Sequence, residues 1–507
     1  MDTTQASLTV TARLASRDVP APAPIKRSVA SWFGWQVGGW AMFLGFLVVF
    51  SAIMLGAVRA FAQLDSGKSR AFEGVGNILI LLLVFVMVLA TLLTMADRKW
   101  SALMQDRVGP NRARLPIPGL SDSPLAGLPH IIADVVKMLF KEDFLSTGAA
   151  KQKFIFNIAP FLAFGPAFCL FAIIPMSPEV EIFGHTISLQ VLHLDWGLLY
   201  VLALASLGVF GVALAGWASD NKFALLGGLR ASAQMVSYEV TLGLTLVGAF
   251  IAFGTVQLDV MTNLQGATLE QLKQGGTDPT LFFGWLPAWG IFMQPIASLL
   301  FLVAAMAEIK RTPFDTPEGE SEIIGYYLEY SGLKSGMYLI AEYVETVVIA
   351  AIFTAVFLGG WHLPWVEPAL YSFFEKFAHG NAAALLAVFQ VFGFIIKTLI
   401  MIWVMFLARW ALPRFRYDQV MHLGWKMILP VSIANVVLTA AAFLYGFDNT
   451  VRDGSIFARE MMARVGIVEI FVFVGYVMFW GKTPAAETPD AHGHGAHADP
   501  HAAPAAH

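Results

Sequence analysis

Runs of about twenty consecutive apolar residues recur along this chain, and nothing else in it limits the fold so severely. A helix needs about 20 such residues to cross the hydrocarbon of a bilayer. In lipid its backbone N–H and C=O groups must find their partners inside the protein, which leaves helices and closed barrels as the options. Ten segments meet that length, near 36–60, 76–96, 154–175, 197–217, 235–254, 288–307, 339–360, 386–408, 428–447 and 463–481. Their connections do not alternate as barrel strands do, so the sequence predicts an all-α polytopic membrane protein with about ten spans. Charge content agrees, since 13% of residues are Asp, Glu, Lys or Arg where a soluble domain carries about 25%. No internal repeat of fixed short period is present.

The single cysteine, Cys169, sits inside the apolar run FLAFGPAFCLFAIIP. One thiol excludes an internal disulfide, a Cys-ligated zinc site and a Cys-bound iron–sulfur cluster. Any redox cofactor therefore belongs to another chain or arrives as a substrate. A net charge of −4 gives no basic footprint for nucleic acid. The first 30 residues are polar and rich in Ala, Pro and Ser, so 1–35 reads as a disordered segment, and the first apolar run is too long for a signal-peptide core and reads as a retained helix. With the N-terminus inside, 23 of the 32 Lys and Arg fall in inside segments and 8 outside. By the positive-inside rule both termini face the cytoplasm.

The first inside segment, 97–153, opens with DRKWSALMQDRVGPNRARLPIPGL. Lys99, Arg112 and Arg114 read as anchors for lipid phosphate. Asp97-Arg98 and Asp106-Arg107 pair acid with base at the membrane surface, which keeps a charge tolerable beside a partly apolar ligand. Further on, HIIADVVKMLFKEDF carries Ile131, Ile132, Val135, Val136, Met138, Leu139 and Phe140 at helical spacing, with Asp134, Lys137, Lys141 and Glu142 on the other face. Too short to span, it predicts an amphipathic helix lying in the interface.

The segment AEIKRTPFDTPEGESEIIGYYLEY, 307–330, runs against the positive-inside trend. Glu308, Asp315, Glu318, Glu320, Glu322 and Glu329 face only Lys310 and Arg311. Two Pro-containing turns, TPFD and TPEG, fix its course. Crowded carboxylates repel one another and come to share protons near neutral pH, as a proton-transfer chain requires. An acidic loop that docks a basic partner fits the composition equally well. Ionisable groups inside the spans favour the first reading. Glu239, Glu342, Glu345 and Lys397 lie in apolar runs, where a charge costs about 2.5–3.5 kcal/mol and usually lines a polar path. Glu342 and Glu345, three apart, share a helix face. Glu469, in IVEIFVF of the last span, reads as a partner for a neighbouring helix.

DRKWSALMQDRVGPNR, IADVVKMLFKED, AEIKRTPFDTPEGESEIIGYYLEYSGLK and DQVMHLGWKMILP together resemble the H-subunit family of bacterial NADH–quinone oxidoreductase, the counterpart of mitochondrial complex I subunit 1. The resemblance runs from about 76 to about 447 and covers eight spans. It implies a chain without a cofactor of its own that forms the membrane side of a quinone chamber, with quinone as substrate. FMN and iron–sulfur clusters are then expected in peripheral-arm partners, and antiporter-like membrane subunits alongside. By position, Asp97, Arg98, Arg107, Asp134, Arg311 and Asp315 fall to the quinone chamber. Glu239, Glu308, Glu318, Glu320, Glu322, Glu329 and Glu342 fall to the proton relay, and Glu345, on the helix face of Glu342, is placed with them. No metal ligand is implied, and the location is the bacterial inner membrane.

Three features depart from that family. Its usual Glu before Arg-Lys is here Asp97, one methylene shorter. A helix at 36–75 and another at 448–482 flank the family region, 76–447. The tail, 483–507, carries His492, His494, His497, His501 and His507 among Ala, Pro and Gly, and reads as disordered rather than metal-binding. Two other readings remain. One is the homologous subunit of a membrane-bound hydrogenase or a ferredoxin- or deazaflavin-linked complex. The other is an ion-coupled secondary transporter, against which the lack of an inverted repeat argues.

Overall fold

The computed structural model describes residues 85–110, 127–146, 148–182, 185–187, 189–266, 281–282, 286–319, 325–377, 382–448 and 465–470. All belong to the second, Glu73–His507, of the two units into which the chain divides. The expectations for 1–75, Arg112, Arg114, Glu320, Glu322 and the His-rich tail fall outside the described residues.

Eleven main helices follow one another: α1 (Met87–Met104), α2 (Leu128–Phe140), α3 (Lys153–Leu170), α4 (Gly197–Ala218), α5 (Lys222–Phe253), α6 (Pro295–Glu308), α7 (Gly332–Phe357), α8 (Glu367–Phe377), α9 (Ala382–Ala411), α10 (Tyr417–His422) and α11 (Leu429–Asp448). Two short antiparallel hairpins, Val180–Ile182 with His185–Ile187 and Leu281–Phe282 with Leu286–Pro287, interrupt them. Among the described residues six helical stretches are long and apolar enough to cross a membrane: Ala149–Ile173 around α3, then α4, α5, α7, α9, and Tyr417–Leu444. In the last of these a π-helical turn, Leu423–Ile428, joins α10 to α11. The shorter α6 is also apolar. The class is that of a polytopic helical membrane protein.

Local chemistry explains where the helices begin and how closely they pack. α5 starts well before the apolar run predicted at 235, because the Asn221 side chain caps it by accepting from the Phe223 N–H at 3.0 Å. The intervening KFALLGGLRASAQ has no proline to end a helix. α3 and α4 approach backbone to backbone, since a Cβ on Gly211 would fall 2.4 Å from the Ala163 nitrogen. Small residues give membrane helices their tightest contacts, lipid offering no hydrophobic drive for association. α7 is the centre of the bundle, with 83% of its most apolar window buried against 22% for the last span.

The interfacial helix is present as α2, and Ile132, Val136, Leu139 and Phe140 stand exposed along it. Met138 packs it against Gly336 at the start of α7, where Lys334 donates to Asp143 just past the end of α2 (2.6 Å) and to Asn157 on α3 (2.7 Å). α6 runs antiparallel to α5. Gln294 at its start meets Gly248 near the end of α5, and Ala307 near its finish meets Gln234. Glu308, at the end of α6, and Glu239, on α5, line one cavity.

Candidate functional site

The chain leaves α6 at Glu308 and turns through Lys310, whose backbone is left-handed (φ 61°). A buried side chain from α5 holds the turn. Gln234 donates to Ala307 O (2.8 Å) and Phe314 O (2.9 Å) and accepts from the Thr316 hydroxyl (2.5 Å). Pro313 O accepts from the Phe415 N–H at 3.0 Å, tying the α9–α10 link to the same turn. Backbone polar groups that a buried loop would leave unpaired are met in this way. As a result the basic pair Lys310-Arg311 is driven inward.

Arg311 lies between two carboxylates, 3.6 Å from Asp97 and 3.5 Å from Glu342, with its guanidinium 3.9 Å from the centre of the Tyr343 ring. Asp97, at mid-α1, also accepts from Arg409 (2.5 Å) and from the Tyr343 hydroxyl (3.0 Å). Lys310, itself 3% exposed, reaches Glu345 at 3.5 Å. Burial alone would lower the Lys310 ammonium, but the charges of Glu345, Glu342, Glu308 and Glu318 outweigh it and hold the group above the ordinary lysine range. Asp315 binds Arg414 at 2.6 Å. Its burial, helped by the charge of Glu318 and opposed by Arg414 and Arg409, pushes its carboxyl up to about 7. A group poised there exchanges protons at physiological pH.

One turn deeper the cations run out. Glu308 is buried, and among the described residues neither of its oxygens has a hydrogen-bond partner. With Glu239 and Glu345 it lines a small cavity of ≈ 40 Å³ whose walls are otherwise apolar, among them Met235, Leu246 and Phe301. Ser206 on α4 donates to Glu239. Glu318, in the loop, faces Tyr327 and Glu342. Carboxyl groups thus line a way from the loop to the middle of α5.

The other predicted residues are dispersed. Arg98 pairs with Asp134 across α1 and α2 at 2.5 Å, the arginine exposed and the carboxylate half-buried. Arg107 bonds its neighbour Gln105 (2.6 Å) on the surface, apart from the cluster. Glu329 accepts from Asn221 at 2.8 Å. Lys397 lies at the opposite end of the bundle, where its ammonium donates to the carbonyls of Leu358, Gly360 and His362 at 2.7, 3.1 and 2.6 Å. Arg409, Arg414, Tyr343 and Gln234 belong to the site, and sequence reasoning missed them. Both arginines stand in RWALPRFRYD at the end of a span, where they counted only towards topology. Among the described residues no three His, Cys, Asp or Glu side chains are grouped closely enough to hold a metal ion.

A helical membrane protein with a cluster of buried ion pairs at one end of its bundle, opening on unpaired carboxyls, is the class this geometry defines. Comparison with known proteins gives the family. The NADH dehydrogenase family model matches residues 76–440. The H subunit of NADH-quinone oxidoreductase from Bdellovibrio bacteriovorus is 40% identical over 385 residues, 73% of this chain and 96% of that protein. The corresponding H subunits of Cytophaga hutchinsonii and Geobacter metallireducens are 39% and 38% identical, over 71% of this chain and 93% of theirs. The chain belongs to the NADH dehydrogenase family, that of the NADH-quinone oxidoreductase H subunits. It is a membrane subunit of an oxidoreductase complex, complex I, with other complex I subunits as its partners in the inner membrane.

Proposed function

We propose that this protein forms the membrane side of the quinone chamber and passes the protonic consequence of quinone reduction into the bilayer. In this reading the 309–331 loop and α2 face the cytoplasm, as do both termini. Asp97, Arg98, Arg107, Asp134, Arg311 and Asp315 border the chamber beneath peripheral-arm subunits that carry FMN and iron–sulfur clusters. Glu239, Glu308, Glu318, Glu320, Glu322, Glu329, Glu342 and Glu345 form the relay towards antiporter-like neighbours. The family region is 76–447, and the added helices lie at 36–75 and 448–482.

The observation that carries the reading is the change along one path from paired to unpaired carboxyls. Asp97, Arg311, Glu342, Lys310 and Glu345 are joined in ion pairs 3.5–3.6 Å long. Pairs of that length in a buried site are weakly locked and respond to an added charge, because the local dielectric screens poorly. A quinone that gains two electrons must take up two protons. Charge developing beside Arg311 and Asp315 would loosen the hold of Lys310 on Glu345, and Glu345 shares a cavity with Glu308 and Glu239.

The test compares Gln variants at Glu239, Glu308, Glu342 and Glu345, assayed in native membranes. NADH:quinone turnover and coupled proton translocation should fall at least tenfold in one or more of them. NADH oxidation by an artificial acceptor should stay unchanged in all. Full proton translocation in all four variants would end the relay reading.

A further inference from the structure

The C-terminal addition meets the bundle at a break in a helix. The chain passes from a short helical segment, Gly290–Met293, into α6 through Gln294 (φ −137°, ψ 61°), with Pro295 at the first helical position. Proline brings no N–H, and the Ser298 N–H already reaches Gln294 O at 2.9 Å. The Ile296 and Ala297 amides therefore have no acceptor within their own helix, and lipid supplies none. The Gln294 side chain does not serve them. It donates to Thr439 (2.8 Å) and accepts from Asn435 (3.0 Å) on α11.

Helix 465–470 lies against this break. A Cβ on Gly466 would fall 2.2 Å from Phe292 O and 3.2 Å from Met293 O, so the approach depends on glycine. One turn further on, Glu469 is 5% exposed while Ile467, Val468 and Ile470 are exposed. The only charged side chain of the segment is thus turned into protein. Its carboxylate faces the Ile296 N–H, and among the described residues neither oxygen has a partner at regular hydrogen-bond geometry. A carboxylate is the favoured side chain at a helix N-terminus, whose free N–H groups carry partial positive charge. The same charge argues against reading the unpartnered oxygens as a cation site.

We propose that the C-terminal addition caps α6 inside the membrane, with Glu469 accepting from the free amides at Ile296 and Ala297 and Gly466 permitting the approach. Glu308 ends the same helix, so Glu469 is a positioning residue for Glu308. It fixes the height of α6 from the end opposite the loop. The capping rests on geometry alone, whereas the positioning role also rests on the relay proposed above.

Amide exchange in the assembled, purified complex tests the cap directly. In Glu469→Leu, exchange in the peptide covering 294–300 should rise about tenfold, the loss expected of a missing cap. Glu469→Gln, whose amide oxygen still accepts, should remain near wild type, as should the surface control Val468→Ala. Where Glu469→Leu does not assemble, Gly466→Ala takes its place, because its methyl lifts the helix off the break. Wild-type exchange in the disrupting variant, or equal exchange in the Gln and Leu variants, overturns the cap. In the same preparations quinone reduction should fall several-fold in Glu469→Leu and recover in Glu469→Gln. Raised exchange with unchanged quinone reduction overturns the positioning role and leaves the relay itself to the four Gln variants.

Discussion

Replacing Asp97 by alanine should be among the most damaging single changes near the candidate site, and the structure sets the size of the effect. The Asp97 carboxylate is shared by Arg409 (2.5 Å), the Tyr343 hydroxyl (3.0 Å) and Arg311 (3.6 Å). Arg311 keeps a second anion, Glu342 at 3.5 Å. Among the described residues Arg409 makes its only ion pair with Asp97. Removing one member of a buried pair typically costs about 3–5 kcal/mol, because the other charge stays desolvated. The Arg409 side chain is 33% exposed, so water recovers part of its solvation. That places the cost near the lower end, about 3 kcal/mol, or roughly a hundredfold in a local folding equilibrium.

The assay is residual NADH:quinone activity in native membranes after heating across a temperature series, with artificial-acceptor reduction as the control. Asp97→Ala should inactivate at distinctly lower temperature. Asp97→Glu keeps the charge, adds one methylene and restores the acid usual in the family, so it should stay within about 1.5 kcal/mol of wild type. The double variant Asp97→Ala/Arg409→Leu removes the stranded cation as well, and should recover at least about 1 kcal/mol of the summed single losses. Wild-type heat resistance in Asp97→Ala would refute the reasoning. So would strict additivity in the double variant, since the two side chains would then not be coupled.

Three other expectations follow from the same geometry. The folded protein holds the Asp315 carboxyl near 7, above its ordinary value, and so favours the protonated form. The stability this contributes is complete below about pH 4 and is lost as pH rises to about 7. Heat resistance of the wild-type complex should therefore fall over that window relative to Asp315→Asn, and equal slopes would contradict it. Gln234→Leu strands two carbonyls and a hydroxyl, at about 1 kcal/mol or more each. Quinone reduction in that variant should become heat-labile while artificial-acceptor reduction persists, as measured in heated membranes. Truncation after residue 482 should leave assembly unchanged on native gels, because the Ala-, Pro- and His-rich tail has too little apolar surface to pack.

What the sequence made legible was the part governed by local physics. Apolar length located α3, α4, α9 and α11 within a few residues, since lipid imposes it segment by segment. Helical spacing and brevity identified α2. The longer reach of α5 was missed, because a search for apolar runs ignores a helix that continues past the membrane surface on an Asn221 cap. Ion-pair partners were out of reach for a different reason. Asp97 and Arg409 stand 312 residues apart, and no periodicity connects them. Gln234 and Tyr343 carry no charge and looked like ordinary polar residues of a span. Lys397 was read into the polar path for its depth alone, although the turn at 358–362 draws its ammonium to the opposite end of the bundle.

That distinction changes what the acidity of the loop means. Read linearly, 307–330 has six carboxylates for two cations. In three dimensions Asp97, Glu342, Glu345 and Asp315 are each matched by a cation among Arg311, Lys310, Arg409 and Arg414. Giving a matched carboxylate a proton strands its partner cation in a buried site, a cost added to the transfer itself. Among the described residues neither Glu308 oxygen has a hydrogen-bond partner and Glu239 accepts from a serine hydroxyl, so neither has an ion pair to break. Within the bundle, proton occupancy can therefore change at these two, which line one cavity, without stranding a cation. The paired groups around Arg311 are better suited to registering charge at the membrane surface than to carrying protons. If that division is right, Glu308→Gln should abolish coupled translocation more completely than Glu342→Gln. Glu342→Gln should instead weaken quinone binding, seen as a raised KM. The reverse ranking would show that pairing does not decide which carboxyls carry protons.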